Sequence, residues 1–135
     1  MIQIIIVTHH TLADHLIGTA EVIVGKSDNL TSISISQNDD VEAVRKQLVE
    51  MIKRLQKEGK QVLILTDMFG GTPSNISLAL YEPEKVEIVS GVNLPIVLKL
   101  AGGFKNENKS LKEIAAEITE YGRKNIFTAA EFLDL

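Results

Sequence analysis

The sequence predicts a doubly wound α/β fold, with a mainly parallel sheet and helices on both faces. Short apolar segments typical of strands alternate along the chain with segments whose apolar residues recur at helical spacing, in the order βαβαβαβα. This alternation favours right-handed crossovers between parallel strands. Two of the strand segments are continuously apolar, as in strands buried on both faces. With 135 residues, the chain is expected to form one domain over residues 1–135.

The first half of this pattern begins with the run Ile4–Val7, which predicts a strand buried on both faces. A helix is predicted next, because Thr11 and Asp14 have the spacing of a capping box and apolar residues recur at helical intervals up to Gly25. Residues 30–36 alternate between apolar and polar side chains, which predicts a strand at the edge of the sheet.

The middle of the chain repeats the same order. A second helix is predicted from Asp39 or Asp40 to Gly59. Continuous apolar residues at 62–66 predict the third strand, and residues 86–90 predict the fourth.

A glycine turn lies between the third and fourth strands. Phe69-Gly70-Gly71-Thr72-Pro73-Ser74-Asn75 leads into a helix, with Thr72 as the expected N-cap and Pro73 at the first helical position. This helix is predicted to reach about Tyr81.

The last third of the chain is predicted to be mostly helical. A short helix runs to about Leu100, and a loop follows from Gly102 to Lys109. Ser110 and Glu113 have the spacing of a capping box that starts a long final helix. The tail, residues 125–135, is too apolar to remain in water, and we expect it to pack on the domain or on a second subunit.

Composition restricts the class of function. The formal net charge of −4, without a Lys/Arg cluster, argues against nucleic acid as a partner. The absence of cysteine excludes disulfides, thiolate metal sites and cysteine nucleophiles. No basic segment precedes the first apolar run, and no apolar run reaches the roughly 18 residues of a spanning helix. We therefore expect a cytoplasmic protein.

Residues suited to phosphoryl chemistry follow the first and third strands. Thr8 and His9 come directly after the first apolar run, and Asp67 follows the third strand. The carboxyl ends of parallel strands share one edge, so these side chains are expected to lie close together. A carboxylate that accepts the N–H of one imidazole nitrogen leaves the other nitrogen with a free lone pair, and hence nucleophilic.

The glycine turn adds an anion site at the same edge. A helix N-terminus offers unpaired backbone N–H groups and the positive end of the helix dipole. Gly70 and Gly71 allow the backbone to approach an anion closely, and the Thr72 and Ser74 hydroxyls can donate hydrogen bonds. Each feature alone also fits an ordinary surface histidine or helix start. Their convergence predicts a phosphoryl group carried on a histidine, without a metal or cofactor.

Three motifs resemble the IIA domain of mannose-family sugar phosphotransferase systems. They are Thr8-His9 after the first strand, residues 67–75 after the third strand, and Gly91-Val92-Asn93-Leu94-Pro95 after the fourth. Their order and spacing match over nearly the whole chain, including the helix start at Ser110 and the Tyr121-Gly122-Arg123 stretch.

The resemblance implies that His9 accepts a phosphoryl group from the phosphocarrier protein HPr and passes it to a IIB component, which serves the membrane components IIC and IID. It implies that Asp67 bonds the non-phosphorylated ring nitrogen, and that Thr72 and neighbouring amides hold the phosphoryl oxygens. It also implies a homodimer in which a strand at about Asn125–Ala129 joins the partner's sheet. The predicted site comprises His9 and Asp67 as catalytic residues, with phosphoryl-binding groups at Thr8, Gly70, Gly71, Thr72 and Ser74.

One position departs from the family pattern. The family commonly has glycine after its active histidine, whereas this chain has His10. His9 is preferred as the acceptor because it follows the threonine directly, and His10 and His15 are interpreted as incidental, His15 on a helix surface.

Other functions remain open at this point. A phosphohistidine carrier of a dihydroxyacetone kinase system would share the histidine and the fold, although the glycine turn fits the sugar-transport group better. A receiver-like domain phosphorylated on Asp67 would need Mg²⁺ ligands near the end of the first strand, where no acid occurs before Asp14. A metal site at His9, His10 and Asp67 is disfavoured, because adjacent side chains on an extended chain point apart. A nucleotide-binding module lacks a Gly-x-Gly-x-x-Gly motif.

Overall fold

The computed structural model describes residues 1–103 and 108–135. The helices and strands, in chain order, are β1 Ile2–His9, α1 Leu12–Val24, β2 Leu30–Ile35, α2 Val41–Lys57, β3 Gln61–Thr66, α3 Gly71–Leu78, β4 Val86–Ser90, α4 Leu94–Leu100, α5 Leu111–Lys124 and α6 Ala129–Leu133.

The four strands form one parallel sheet in the order β2-β1-β3-β4. Helices cover both faces, so the predicted doubly wound fold is confirmed, and β2 lies at the edge as expected. β1 pairs directly with β3, with Val7 opposite Thr66. This pairing brings His9, at the end of β1, next to the residue that follows β3.

The side chains of β1 alternate between the two cores. Ile4 and Ile6 pack in the cluster beneath α1, α4 and α5, whereas Ile5 and Val7 pack in the cluster beneath α2 and α3. All four are essentially inaccessible to solvent. The apolar run is therefore a strand buried on both faces, as predicted.

Two helix starts differ from the prediction. Thr11 precedes α1 but its side chain makes no capping hydrogen bond, and Thr8 Oγ1 instead accepts the N–H of Ala13 at 2.8 Å. The N-cap of α3 is Gly70 rather than Thr72, which lies inside the first turn, and α3 ends at Leu78 instead of about Tyr81. Both glycines of the turn adopt positive φ, so the chain enters the helix earlier than the Thr-Pro pair indicated.

Other predicted helix signals are confirmed. Asp40 caps α2 by accepting the N–H of Glu42, and Ser110 and Glu113 form the expected capping box at the start of α5. Gly25 ends α1 with φ +91°, a conformation that favours glycine. Of the loop predicted from Gly102 to Lys109, residues 104–107 lie outside the described residues.

The C-terminal tail contains α6 and exposes its apolar side chains. Phe127 and Phe132 stack with ring centroids 5.4 Å apart, yet both remain more than half exposed. Residues 125–128 belong to no helix or strand of the single chain, and Ala129 begins α6. The exchange of a strand at Asn125–Ala129 stays a prediction. Across the described residues, no helix has the length and apolar character needed to cross a membrane.

Candidate functional site

His9 and Asp67 meet at the carboxyl edge of the sheet. His9 Nδ1 lies 2.8 Å from Asp67 Oδ2, so the carboxylate accepts the Nδ1–H of a neutral imidazole or of an imidazolium. The His9 side chain is 47% exposed and that of Asp67 12% exposed. The acid is thus largely enclosed, while the imidazole it orients remains accessible to another molecule.

Backbone groups fix the carboxylate in place. The N–H of His9 donates to Asp67 Oδ2 at 3.0 Å, and the N–H of Met68 donates to Oδ1 at 3.1 Å. With the imidazole, three donors converge on one carboxylate. Asp67 therefore orients both the backbone and the ring of His9.

The other ring nitrogen, Nε2, faces the start of α3. A Cβ placed on Gly71 would lie 2.9 Å from both Nε2 and Cε1 of His9. The backbone of the first α3 residue therefore approaches the ring as closely as only glycine allows. The N–H groups of Gly70, Gly71 and Thr72 have no carbonyl acceptor within α3. The positive end of the helix therefore lies beside His9 Nε2.

The remaining predicted phosphoryl-binding residues occupy different positions. Gly70 has φ +92°, and no atom lies within 4 Å of the position that a Cβ would take there. Thr72 is partly exposed and lies in the first turn of α3. Ser74 is almost fully buried. Thr8 is fully buried, and its hydroxyl caps α1 instead of facing the His9 ring.

The two other histidines are both exposed. His15 lies on the surface of α1, as expected. His10 follows the end of β1 with φ +51°, and its N–H donates to the carbonyl of Ile35 at 2.8 Å. A residue with a Cβ in this left-handed region is strained by about 1–2 kcal/mol, which glycine would avoid.

Two contacts that organise this edge were not predicted from the sequence. Asp14, expected in a capping box, accepts hydrogen bonds from Ser32 at 2.5 Å and Ser34 at 3.2 Å, which ties α1 to β2. Thr8 takes over the capping of α1. The sequence did contain a signal for the Thr8 contact. Side chains alternate between the two faces of a strand, so the side chains of residues 8 and 9 point to opposite faces.

Comparison with known proteins identifies the family. The family model EIIA-man, described as the PTS system fructose IIA component, matches residues 3–119. The chain belongs to this family. The predicted resemblance is therefore confirmed.

EIIA relatives of known name cover most of the chain. The sorbose-specific EIIA component of the PTS from Lacticaseibacillus casei is 31% identical over 80% of the chain and 78% of its own length. The fructose-specific EIIA component from Bacillus subtilis is 26% identical over 99% of the chain and 90% of its own length. The mannose-specific EIIAB component from Escherichia coli K12 is 29% identical over 93% of the chain, which spans only 38% of that relative.

Solved EIIA structures share the fold. The phosphotransferase system component EIIA from Streptococcus agalactiae superimposes with a TM-score of 0.84, covering 97% of this chain and 99% of that one at 25% identity. The mannose/sorbose-specific IIA subunit from Enterococcus faecalis has a TM-score of 0.78 at 23% identity, with 93% of this chain and 92% of that one covered. The four-stranded parallel sheet is thus the EIIA architecture.

Proposed function

We propose that this EIIA domain is a phosphoryl carrier of a sugar phosphotransferase system, with His9 Nε2 as the acceptor atom. One observation carries the proposal: Asp67 holds Nδ1 at 2.8 Å, while Nε2 lies against the N-terminus of α3. A nucleophilic nitrogen and an anion-binding helix start are therefore adjacent.

The reaction follows from this arrangement. With Nδ1 protonated and bonded to Asp67, the Nε2 lone pair attacks the phosphorus of an incoming phosphoryl group, and the bond from phosphorus to the donor's histidine nitrogen breaks with its electron pair left on that nitrogen. The ring then carries positive charge, which the Asp67 carboxylate stabilises, and the phosphoryl oxygens face the N–H groups of Gly70, Gly71 and Thr72. The same contacts serve the reverse step, in which the phosphoryl group leaves for the next protein.

The proposed partners are the proteins that precede and follow an EIIA protein in the series of phosphoryl transfers. The donor is HPr carrying a phosphohistidine, and the acceptor is a IIB component that acts with the membrane components IIC and IID. We place the reaction in the cytoplasm. The exposure of His9 supports transfer between proteins, because another protein's histidine must reach Nε2 directly.

We also propose that the domain acts as a homodimer through its C-terminal tail. Ile126 is 75% exposed and Phe127 54% exposed, although both are large and apolar. In the described part of the chain, the outer edge of β4 is paired only at Val86, by a bridge to Glu82. An exposed apolar segment and an open strand edge are together suited to exchange between two copies.

Phosphorylation from labelled phosphoenolpyruvate, through its kinase and HPr, tests the assignment. We expect label that is lost in acid and retained in alkali, as for phosphohistidine, and that is absent from His9→Gln. His15→Gln should label as the wild type does, and His10→Gln should still be labelled at the end point. Label retained by His9→Gln, or lost in alkali as an aspartyl phosphate would be, would contradict the proposal.

A further inference from the structure

The loops at the carboxyl edge of the sheet contain no lysine or arginine. These loops are residues 9–11, 36–40, 67–70 and 91–93. Besides the proposed acceptor His9, His10 is the one side chain in them that can carry a positive charge. A phosphoryl group on Nε2 would therefore find no other side-chain cation in these loops.

Acidic side chains at the same edge add negative charge near the proposed phosphoryl group. Asp67 bonds His9, Asp39 accepts the N–H of Ser36 at 2.7 Å, and Asp14 bonds two serines of β2. Among the described residues, none of these carboxylates forms an ion pair with His10. The His10 imidazole is thus exposed and not engaged by an acid.

Two further cations end α5 at this edge. Arg123 and Lys124 follow Gly122, whose carbonyl accepts the side-chain amide of Asn93 in the loop after β4. β3 separates β4 from β1 in the sheet, so this pair belongs to a different part of the edge. It provides a control for general electrostatic effects.

The backbone conformation of His10 differs from that of the strand before it. Its φ of +51° lies in the left-handed region, which histidine enters more readily than most residues. The strand ends at His9, so the alternation that separates neighbouring side chains on an extended chain does not apply between residues 9 and 10.

We propose that the His10 imidazole donates an N–H hydrogen bond to an oxygen of the phosphoryl group at His9 Nε2, an inference that rests on the proposed function. During transfer the N–P bond of the donor histidine breaks and its nitrogen keeps the electron pair, while the Nε2 lone pair forms the new N–P bond. The His10 proton stays on its ring and faces the charge on the equatorial oxygens. A charge-assisted hydrogen bond of this kind stabilises the transferring group.

The test compares transfer rates from phosphorylated HPr to the full chain, measured against HPr concentration. His10→Gly tolerates the positive φ and removes the imidazole with its N–H donors. We expect its maximal rate to fall about 10- to 100-fold, with the half-saturating HPr concentration changed less than about twofold, as for loss of one hydrogen bond to a charged group. His10→Arg, a permanent cation, should recover most of the rate.

Matched controls separate this role from structure and from net charge. His15→Asn removes an exposed imidazole from α1, and Lys124→Asn removes a cation from the same edge; both should transfer at the wild-type rate. A wild-type rate in His10→Gly, no recovery in His10→Arg, or an equal loss in Lys124→Asn would each overturn the inference. A wild type that takes no label on His9 would instead refute the proposed function itself.

Discussion

Substituting Gly71 tests whether His9 acts from the position that the structure gives it. In Gly71→Ala, the new methyl group would lie 2.9 Å from Nε2 and Cε1, well inside the separation of about 3.5–4.0 Å at which carbon atoms attract. The imidazole would have to retreat by about 0.5–1 Å. Because the ring is half exposed it can do so, but only by disturbing its 2.8 Å hydrogen bond to Asp67.

The expected magnitude follows from that hydrogen bond. A hydrogen bond to a charged group contributes about 1.5–3 kcal/mol, and each 1.4 kcal/mol corresponds to a factor of ten. Phosphoryl transfer to Gly71→Ala should therefore be slower by about 10- to 100-fold. The φ of +82° at Gly71 adds a strain of roughly 1–3 kcal/mol that lowers the free energy of unfolding.

Gly70→Ala is the matched control. Gly70 has a similar φ of +92°, but no atom lies within 4 Å of the position of its added Cβ. Both variants should lose comparable stability in urea denaturation, whereas only Gly71→Ala should show the full loss of transfer rate from phosphorylated HPr. Equal transfer rates in the two variants would refute the claim that contact between Gly71 and the His9 ring matters.

Three further predictions concern other contacts. Asp67→Asn should keep the fold, judged by circular dichroism, but slow transfer by about 10²-fold or more, because the imidazole is no longer held in the required tautomer; an unchanged rate would remove the orienting role. Thr8→Val should lower the free energy of unfolding in urea titrations by about 1 kcal/mol through loss of the cap on Ala13, and an unchanged value would refute the capping role. Phe127→Ser should shift the protein from dimer to monomer in sedimentation velocity, and a wild type that sediments as a monomer would contradict the proposed dimer.

Much of the fold was predictable because β1 and β3 carry strong local signals. Ile4–Val7 and residues 62–66 are continuously apolar, and only a strand buried on both faces accommodates such short runs. The order of the strands was less accessible. Alternation along the chain left open whether β1 and β3 are neighbours, and the structure shows that they pair directly.

The helix starts show where local pattern fails. Thr72 and Pro73 resemble a cap followed by a first helical residue, yet Gly70 and Gly71 reach positive φ and begin the turn two residues earlier. Spacing alone could not predict this, because Thr72 could cap the helix only if the glycines remained outside it. Similarly, Thr11 had the right spacing to cap α1, but Thr8 reaches Ala13 from the preceding strand.

Residue type identified the members of the candidate site better than it identified their contacts. His9 and Asp67 were predicted to be neighbours from the ends of their strands, and their separation of 2.8 Å agrees with this. The clearance at Gly71 could not be predicted, because it depends on how α3 packs against β1. The hydrogen bond from the backbone N–H of His9 to Asp67 could not be predicted either, because a pattern of side chains carries no information about it.

The polar residues at the carboxyl end of β1, rather than its apolar centre, determine which side chain faces the candidate site. Ile4–Val7 would fill both cores equally well if each side chain pointed to the opposite face of the sheet, since a run of similar residues does not distinguish the two faces. The hydrogen bond from Ala13 to Thr8 directs residue 8 towards α1, and the bond from the backbone of His9 to Asp67 fixes the strand against β3. His9 must then lie on the α3 side. The capping threonine, although fully buried and away from the imidazole, therefore helps to determine that His9 faces the start of α3.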